Sequence, residues 1–307
     1  MRIVRDIETY TSAEPYAVSL GNFDGLHLGH MKIIDTLKSY SAKRGLKNGV
    51  ITFSPHPMKY FGMDLRLIMQ EKSKARILED AGIDILFNLS FSKKLADIDP
   101  ELFVREFLVK KLRAVSVIVG HDYRFGQKRK GDYDLLKRLG EKYGFTAVRV
   151  PKVTAGEYTV SSTNIRRFLK EGNVVMAEKL LGRPFFLEGK IETGDSLGRK
   201  LGFPTANLNT DNELIPKTGV YAARMYVDGQ RFDGVTNIGS RPTFNFPDNV
   251  RIETHLFDFD GDLYEKEVCL ELIKYIREEE RFSSPEELAE VISKDCGKAR
   301  TILGYRE

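Results

Sequence analysis

The chain has little from which to build a disulfide framework: two cysteines in 307 residues, Cys269 and Cys296, neither in a C-x-x-C pair. That usage fits a reducing compartment. No apolar run approaches the length of a bilayer span, and the opening MRIVRDIETY puts charges where a signal peptide needs an apolar stretch. A soluble, cytoplasmic protein with no membrane partner is expected. Five histidines and two cysteines leave few zinc ligands to share. A net charge of +4 could favour phosphorylated ligands, yet it falls well short of a nucleic-acid-binding coat. Internal repeats and low-complexity linkers are missing as well.

What is present suffices for folding, with 41% hydrophobic and 30% charged residues. At 307 residues the chain exceeds one ordinary core, so two domains are expected. From residue 1 to 184, apolar runs alternate with helical patterns: strands over 17–20, 49–53, 85–91, 115–119 and 146–150, helices over 31–44, 72–80, 100–112 and 133–143. Asp99-Pro100-Glu101 is a helix start, combining an N-cap residue, a first-turn proline and an early acid. Such alternation implies a parallel sheet with right-handed crossovers, whose ligands sit beyond the carboxyl ends of its strands.

After Gly182-Arg183-Pro184 the rhythm changes to strands and tight turns. Asp228-Gly229 and Asp260-Gly261 each separate two strand-like runs, which predicts two hairpins in a small antiparallel barrel from Phe185 to about Ile276. Ser284-Pro285-Glu286-Glu287 then opens a final helix, with Leu288, Val291 and Ile292 on one face.

The most informative string is GNFDGLHLGH, residues 21–30, which sets His27 and His30 around Gly29 where a strand gives way to a helix. First-turn N–H groups and the helix dipole favour an anion there, and Gly21, Gly25 and Gly29 permit tight turns. Imidazoles can donate to oxygens that gain charge during phosphoryl or nucleotidyl transfer. Packing or capping is the alternative for a lone string of this kind. Further on, Ser161-Ser162-Thr163-Asn164-Ile165-Arg166 offers hydroxyls and a guanidinium at a helix start. By itself it reads as an ordinary N-cap.

Two more loops follow strands. One carries His56 between Pro55 and Pro57; the other joins Asp122, Tyr123 and Phe125 to the basic run Lys128-Arg129-Lys130. Aromatic faces could cover a planar ring and the basic run could screen a triphosphate, or that run is a solvated loop. In the second half, Pro204-Thr205-Ala206-Asn207 puts a hydroxyl and an amide on one side of an extended segment, oxygen donors suited to magnesium. Read alone, it is a proline turn. Glu253, at the start of a strand, could accept a hydroxyl proton or be a surface acid.

Taken in order, GNFDGLHLGH, GHDYRFG and VSSTNIRRFL, then GFPTAN, GVY, NIGSRPTF and ETHLFDF, resemble the bacterial bifunctional riboflavin kinase/FAD synthetase family along nearly the whole chain. The resemblance implies an α/β plus β protein: a Rossmann-like parallel-sheet nucleotidyltransferase of the HxGH type over 1–184, and an antiparallel flavokinase barrel with a terminal helix over 185–307. It implies that riboflavin is phosphorylated to FMN, and that FMN then attacks the α-phosphate of ATP to give FAD and pyrophosphate. His27, His30, Ser162, Thr163 and Arg166 would serve adenylylation, with Gly21, Phe23 and Gly29 also at the nucleotide and Asp122 and Phe125 at the flavin. In the barrel, Thr205 and Asn207 would hold Mg-ATP, Gly198 would lie at the nucleotide, Glu253 would be the base, and Arg241, Arg277 and Phe282 would meet the flavin. Glu265 stands where the family often has glycine. Two rivals stay open: a protein with one half inactive, and a flavin sensor contacting RNA through its basic run. The partners implied are riboflavin, FMN, FAD and ATP, without nucleic acid; an oligomer is left open.

Overall fold

Strand β2 (Tyr16–Leu20) is buried at all five positions, which places it in the middle of a sheet covered on both faces. The computed structural model describes residues 1–7, 9–193, 201–240 and 250–305, in two units, Met1–Ser161 and Ser162–Glu307. In the first unit β1 (Arg2–Val4) and β2 lead to α1 (Leu28–Ala42), β3 (Lys47–Ser54), α2 (Pro57–Tyr60), α3 (Glu71–Asp80) and β4 (Ile85–Ser90). Then come α4 (Lys93–Ala96), α5 (Pro100–Phe103), β5 (Ala114–Gly120), α6 (Tyr133–Tyr143), β6 (Thr146–Val150) and the short pair β7 (Thr154–Ala155) and β8 (Tyr158–Thr159). Six strands pair in parallel in the order β1-β4-β3-β2-β5-β6. The chain runs outward from β2 through β3 and β4, then returns to β5 on the other side of β2. That reversal is the topological switch point at which such sheets bind ligands.

Tyr16, Val18 and Leu20 share a core with Phe87, Val117, Val119, Phe103 and Leu108. On α1, the buried apolar side chains are Ile33, Ile34 and Leu37, and this helix packs on β2, β3 and β5. The expected start at Asp99 is present: its carboxylate accepts from the N–H of Glu101 and Leu102 at 2.9 and 3.1 Å. The single helix expected over 100–112 is two, because α5 passes into a π-helical turn, Val104–Lys111, whose wider spiral keeps Val104, Leu108 and Leu112 in the core. The edge strand β1 has three residues, too few to show a period in the sequence.

The second unit begins with α7 (Ser162–Lys170) and α8 (Val174–Leu181), followed by β9 (Phe185–Glu192), β10 (Ala206–Thr210), β11 (Gly219–Val227), β12 (Gln230–Ser240), β13 (Val250–Leu256), β14 (Glu267–Arg277) and α9 (Pro285–Leu303). Its six strands close into an antiparallel barrel, β10-β13-β12-β11-β14-β9. Gly189 is required for closure, since a Cβ there would lie 1.8 Å from the Asn209 carbonyl oxygen.

The hairpin at Asp228-Gly229 forms as expected, with φ of +50° and +77° at its two turn residues. The one expected at Asp260-Gly261 does not: β13 pairs with β10 and β12, whereas β14 pairs with β9 and β11. The segment between them is a crossover, held by buried Leu263 and by the Glu265 N–H donating to the Ile191 carbonyl at 2.9 Å. Asp-Gly reports a local bend and cannot report which strand the chain joins next.

Helix α9 starts at the expected cap, the Ser284 hydroxyl accepting from the Glu287 N–H at 3.2 Å while the Glu287 carboxylate accepts from the Ser283 N–H at 2.8 Å. Leu288, Val291 and Ile292 are half-buried, and the fully buried seam lies later, at Asp295 and Ala299.

Glu265, the departure from glycine noted above, has φ +61° and an exposed side chain. Left-handed backbone strains any residue with a Cβ. Replacing Glu265 by Gly is expected to stabilise the protein by about 1 kcal/mol, measured as a higher urea midpoint; a lower midpoint would show that the glutamate side chain contributes more than its backbone costs.

Candidate functional site

In the first unit, the loop from β2 into α1 is shaped by its apolar residues. Phe23 and Leu26 are fully buried, with φ of +50° and +38°, and Gly25 lies between them at +85°. Burial holds two non-glycine residues in conformations they otherwise avoid. Phe23 lies under the site, its ring 5.2 Å from that of His30. A Cβ on Gly21 would sit 3.1 Å from the Phe23 ring, so this glycine makes room for the same support.

His27 caps α1, its Nδ1 accepting from the His30 N–H at 3.2 Å. Accepting at Nδ1 puts the proton of the neutral ring on Nε2, which makes His27 a neutral donor through that atom. The two imidazoles stack, with centroids 3.6 Å apart and planes within 11°. Gly29 permits this, since a Cβ there would meet His27 Cε1 and Nδ1 at 3.1 and 3.2 Å. No acid occupies the first turn of α1, so no carboxylate of the helix's own first turn offsets the positive end of its dipole.

Strand β5, paired with β2 through Ser19 and Ile118, sends the loop of Asp122 and Phe125 from the other side of the switch point. Asp122 is exposed there. Phe125 is buried in the core against Phe103 and Tyr123, so it supports the loop from inside. Burial raises the pKa of the Tyr123 phenol above the usual range. Lys128, Arg129 and Lys130 are exposed, the first two at φ of +52° and +58°. His56 is buried and caps α2, accepting from the Met58 N–H at 3.2 Å.

In the second unit, α7 buries Ile165, Phe168 and Leu169. Ser162 and Arg166, one turn apart, are half-buried beside that face, and Thr163 is exposed.

On the barrel, β13 buries Ile252, Thr254 and Leu256 and turns Arg251, Glu253 and His255 to its other face. Asn207 of β10 lies directly opposite Glu253. Between them is Arg251, whose Nε donates to Asn207 Oδ1 at 3.0 Å and lies 3.2 Å from Glu253 Oε1. His255 donates from Nδ1 to the Pro204 carbonyl at 2.9 Å, tying the residue before Thr205 to the same strand. Thr205 is exposed at the start of this face. A hydroxyl, an amide oxygen and a carboxylate are the donor set a magnesium ion prefers, and the amide oxygen is already turned toward a positive charge.

Arg277 is held elsewhere. Its Nε donates to Asp295 Oδ2 at 2.9 Å and its Nη1 to the Glu278 carbonyl at 2.8 Å, so it fastens α9 to β14, with Phe282 5.7 Å from the guanidinium carbon. Gly198 and Arg241 lie outside the described residues. Two residues of these sites escaped the sequence reading: Arg251, which looks like any strand arginine until its register beside Asn207 is known, and Lys74, which reaches the histidine loop from α3.

A parallel-sheet unit with its histidine loop at the switch point and a six-stranded barrel with an oxygen-rich face define a protein of two units, each with residues suited to handling phosphate, and its family models make it an ATP-using transferase. Residues 9–164 match the family model for FAD synthetase, and residues 181–303 that for riboflavin kinase. The bifunctional riboflavin kinase/FMN adenylyltransferase of Escherichia coli strain K12 is 37% identical over 311 residues, covering 99% of this chain and 98% of that one. Its namesake from Bacillus subtilis strain 168 is 38% identical over 289 residues, covering 92% and 90%. A crystal structure of a protein described as a macrolide-efflux protein from Streptococcus pneumoniae superposes with a TM-score of 0.90 at 28% identity, covering 97% and 98%. Efflux is said of that protein; among the described residues here no helix is long and apolar enough to cross a membrane. The chain belongs to the bifunctional riboflavin kinase/FMN adenylyltransferase family.

Gly29→Ala tests the histidine stack. The added methyl displaces the His27 ring, and FAD formation is expected to fall about tenfold with little change in thermal stability, because alanine's gain in helix propensity opposes the loss of the His27 cap. Flavin chromatography and thermal unfolding of the same preparation check both halves; an unchanged rate would mean that the stack is not needed.

Proposed function

We propose that riboflavin is phosphorylated on the barrel and FMN adenylylated at the histidine loop, in two separate centres with separate residues. The observation that carries this is the stacked His27–His30 pair at the start of α1, 3.6 Å between centroids, beyond the end of the central strand at which the sheet reverses. The functional boundary is placed at 184/185.

At the histidine loop, an FMN phosphate oxygen attacks the α-phosphorus of ATP and pyrophosphate leaves, with no covalent enzyme intermediate. Negative charge builds on the phosphate oxygens, and the Nε2–H of His27, the His30 ring and the first-turn N–H groups of α1 stabilise it. Gly21 and Gly29 let the nucleotide approach, and Phe23 backs His30. Ser162, Thr163 and Arg166 hold nucleotide phosphates, Arg166 through a permanent charge and forked donors. Asp122 borders the flavin at the exposed end of its loop, and Phe125 stiffens that loop.

On the barrel, Glu253 takes the proton of the ribityl hydroxyl as the hydroxyl oxygen attacks the γ-phosphorus of ATP, the bond to the β-phosphate breaks and ADP leaves. Thr205 and Asn207 would hold Mg2+ together with the phosphates of ATP, and the ion would offset their negative charge. Arg277 and Phe282 shape the flavin side of this centre through their own packing. A cytoplasmic location without nucleic-acid or membrane partners is in keeping with the modest charge of +4 and the sparing use of cysteine.

His30→Ala is expected to lower FAD formation by about 10²-fold or more and leave FMN formation intact. Glu253→Ala is expected to lower FMN formation by about 10²-fold or more, while FAD still forms from supplied FMN. Chromatography of flavins after incubation with riboflavin or FMN, ATP and magnesium reads both. Parallel loss of the two activities in either variant would refute separate centres.

A further inference from the structure

Lys74 belongs to α3, outside every motif considered above, yet its Nζ donates to the backbone carbonyl of Asn22 at 3.0 Å, within the histidine loop. The same carbonyl accepts from the Thr52 hydroxyl of β3 at 3.0 Å, so both its lone pairs are engaged. Two residues on, the buried carboxylate of Asp24 accepts from the Ile68 N–H at 3.0 Å. Lysine on a helix normally extends its ammonium into water. That of Lys74 is half-buried and turned onto the loop: burial lowers its pKa, and the Asp24 and Glu71 carboxylates act in the opposite sense.

A desolvated charge costs stability unless its partners return it. Here the partners are a loop carbonyl and a loop carboxylate, immediately before and after Phe23, which sits at φ +50° under His30. Strained backbone persists only where its surroundings over-determine it. The Lys74 and Thr52 donors meet at the residue where the strained stretch begins.

We propose that Lys74 is a positioning residue for nucleotidyl transfer, pinning the Asn22 carbonyl from below so that Phe23 supports the His27–His30 stack in its working geometry. It acts through the loop and does not touch substrate. The inference rests on the adenylyltransferase reading of that loop.

The test uses the full chain carrying Lys74→Met, Lys74→Arg, Thr52→Val, or Lys74→Met with Thr52→Val. Each is assayed for FAD formation from FMN, for FMN formation from riboflavin and for thermal unfolding. Lys74→Met is expected to lower kcat for FAD formation by about 10²-fold, with KM for ATP changed by less than about threefold and riboflavin phosphorylation within about twofold of the parent. Lys74→Arg, which keeps a charged donor, recovers most of the loss. The double variant is little worse than Lys74→Met, because both donors serve one carbonyl. Lys74→Met with kcat within about twofold of the parent, equal loss of both activities, or an arginine variant as poor as methionine would overturn the role of Lys74. Parent protein that makes no FAD from FMN would instead remove the adenylyltransferase reading, and this inference with it.

Discussion

Strand β2 has no solvent side. All five of its residues are buried, Ser19 included, and a strand in that position must take a parallel neighbour on each flank and helices on both faces. Everything at the first centre follows from this constraint. With β3 on one side and β5 on the other, the chain has to reverse direction across β2, and the loops leaving β2 and β5 open a crevice between them. The histidines are delivered to that crevice by the shortest route, ten residues of loop and helix start. The first helix then adds its own N-terminal field.

The barrel reaches its chemistry by a different constraint, register. Once Asn207 lies opposite Glu253, strand alternation puts Arg251, Glu253 and His255 on one face and Ile252, Thr254 and Leu256 in the core. A one-residue slip would bury the arginine and the glutamate. The core hydroxyls of Thr236 and Thr254, 2.9 Å apart on paired strands, satisfy each other only in this register. The interior thus helps to set where the polar face falls.

Much of this was legible from residues near one another in the chain. β2, β5, β6, α6 and the start of α9 follow from short-range period and caps, and the motif loops fall where strands end because the motif itself spans the junction. What was not legible depends on partners far away in sequence. The crossover between β13 and β14 imitates a hairpin because Asp260-Gly261 bends the chain in either case. Phe125, a candidate flavin contact, packs against Phe103 in the core, a partner that its local sequence does not disclose. Arg277 is joined to Asp295, 18 residues on, through a helix that no spacing rule links to that strand. Lys74 and Arg251 escaped for the same reason, being charges whose meaning lies entirely in what they face.

The histidine loop also shows why a functional segment need not be a soft one. Phe23 and Leu26 adopt backbone conformations that cost about 1–2 kcal/mol each for residues with a Cβ, and both are fully buried. Glycine at either place would relieve the strain and forfeit a large apolar contact, of similar or greater worth. The balance favours the strained, packed residue, and the geometric consequence matters more than the energy. A Phe23 ring locked in the core holds His30 at a set distance, whereas a glycine would leave the imidazole without a floor. Glu265, strained and exposed, gains no such contact, so the balance there tips toward glycine.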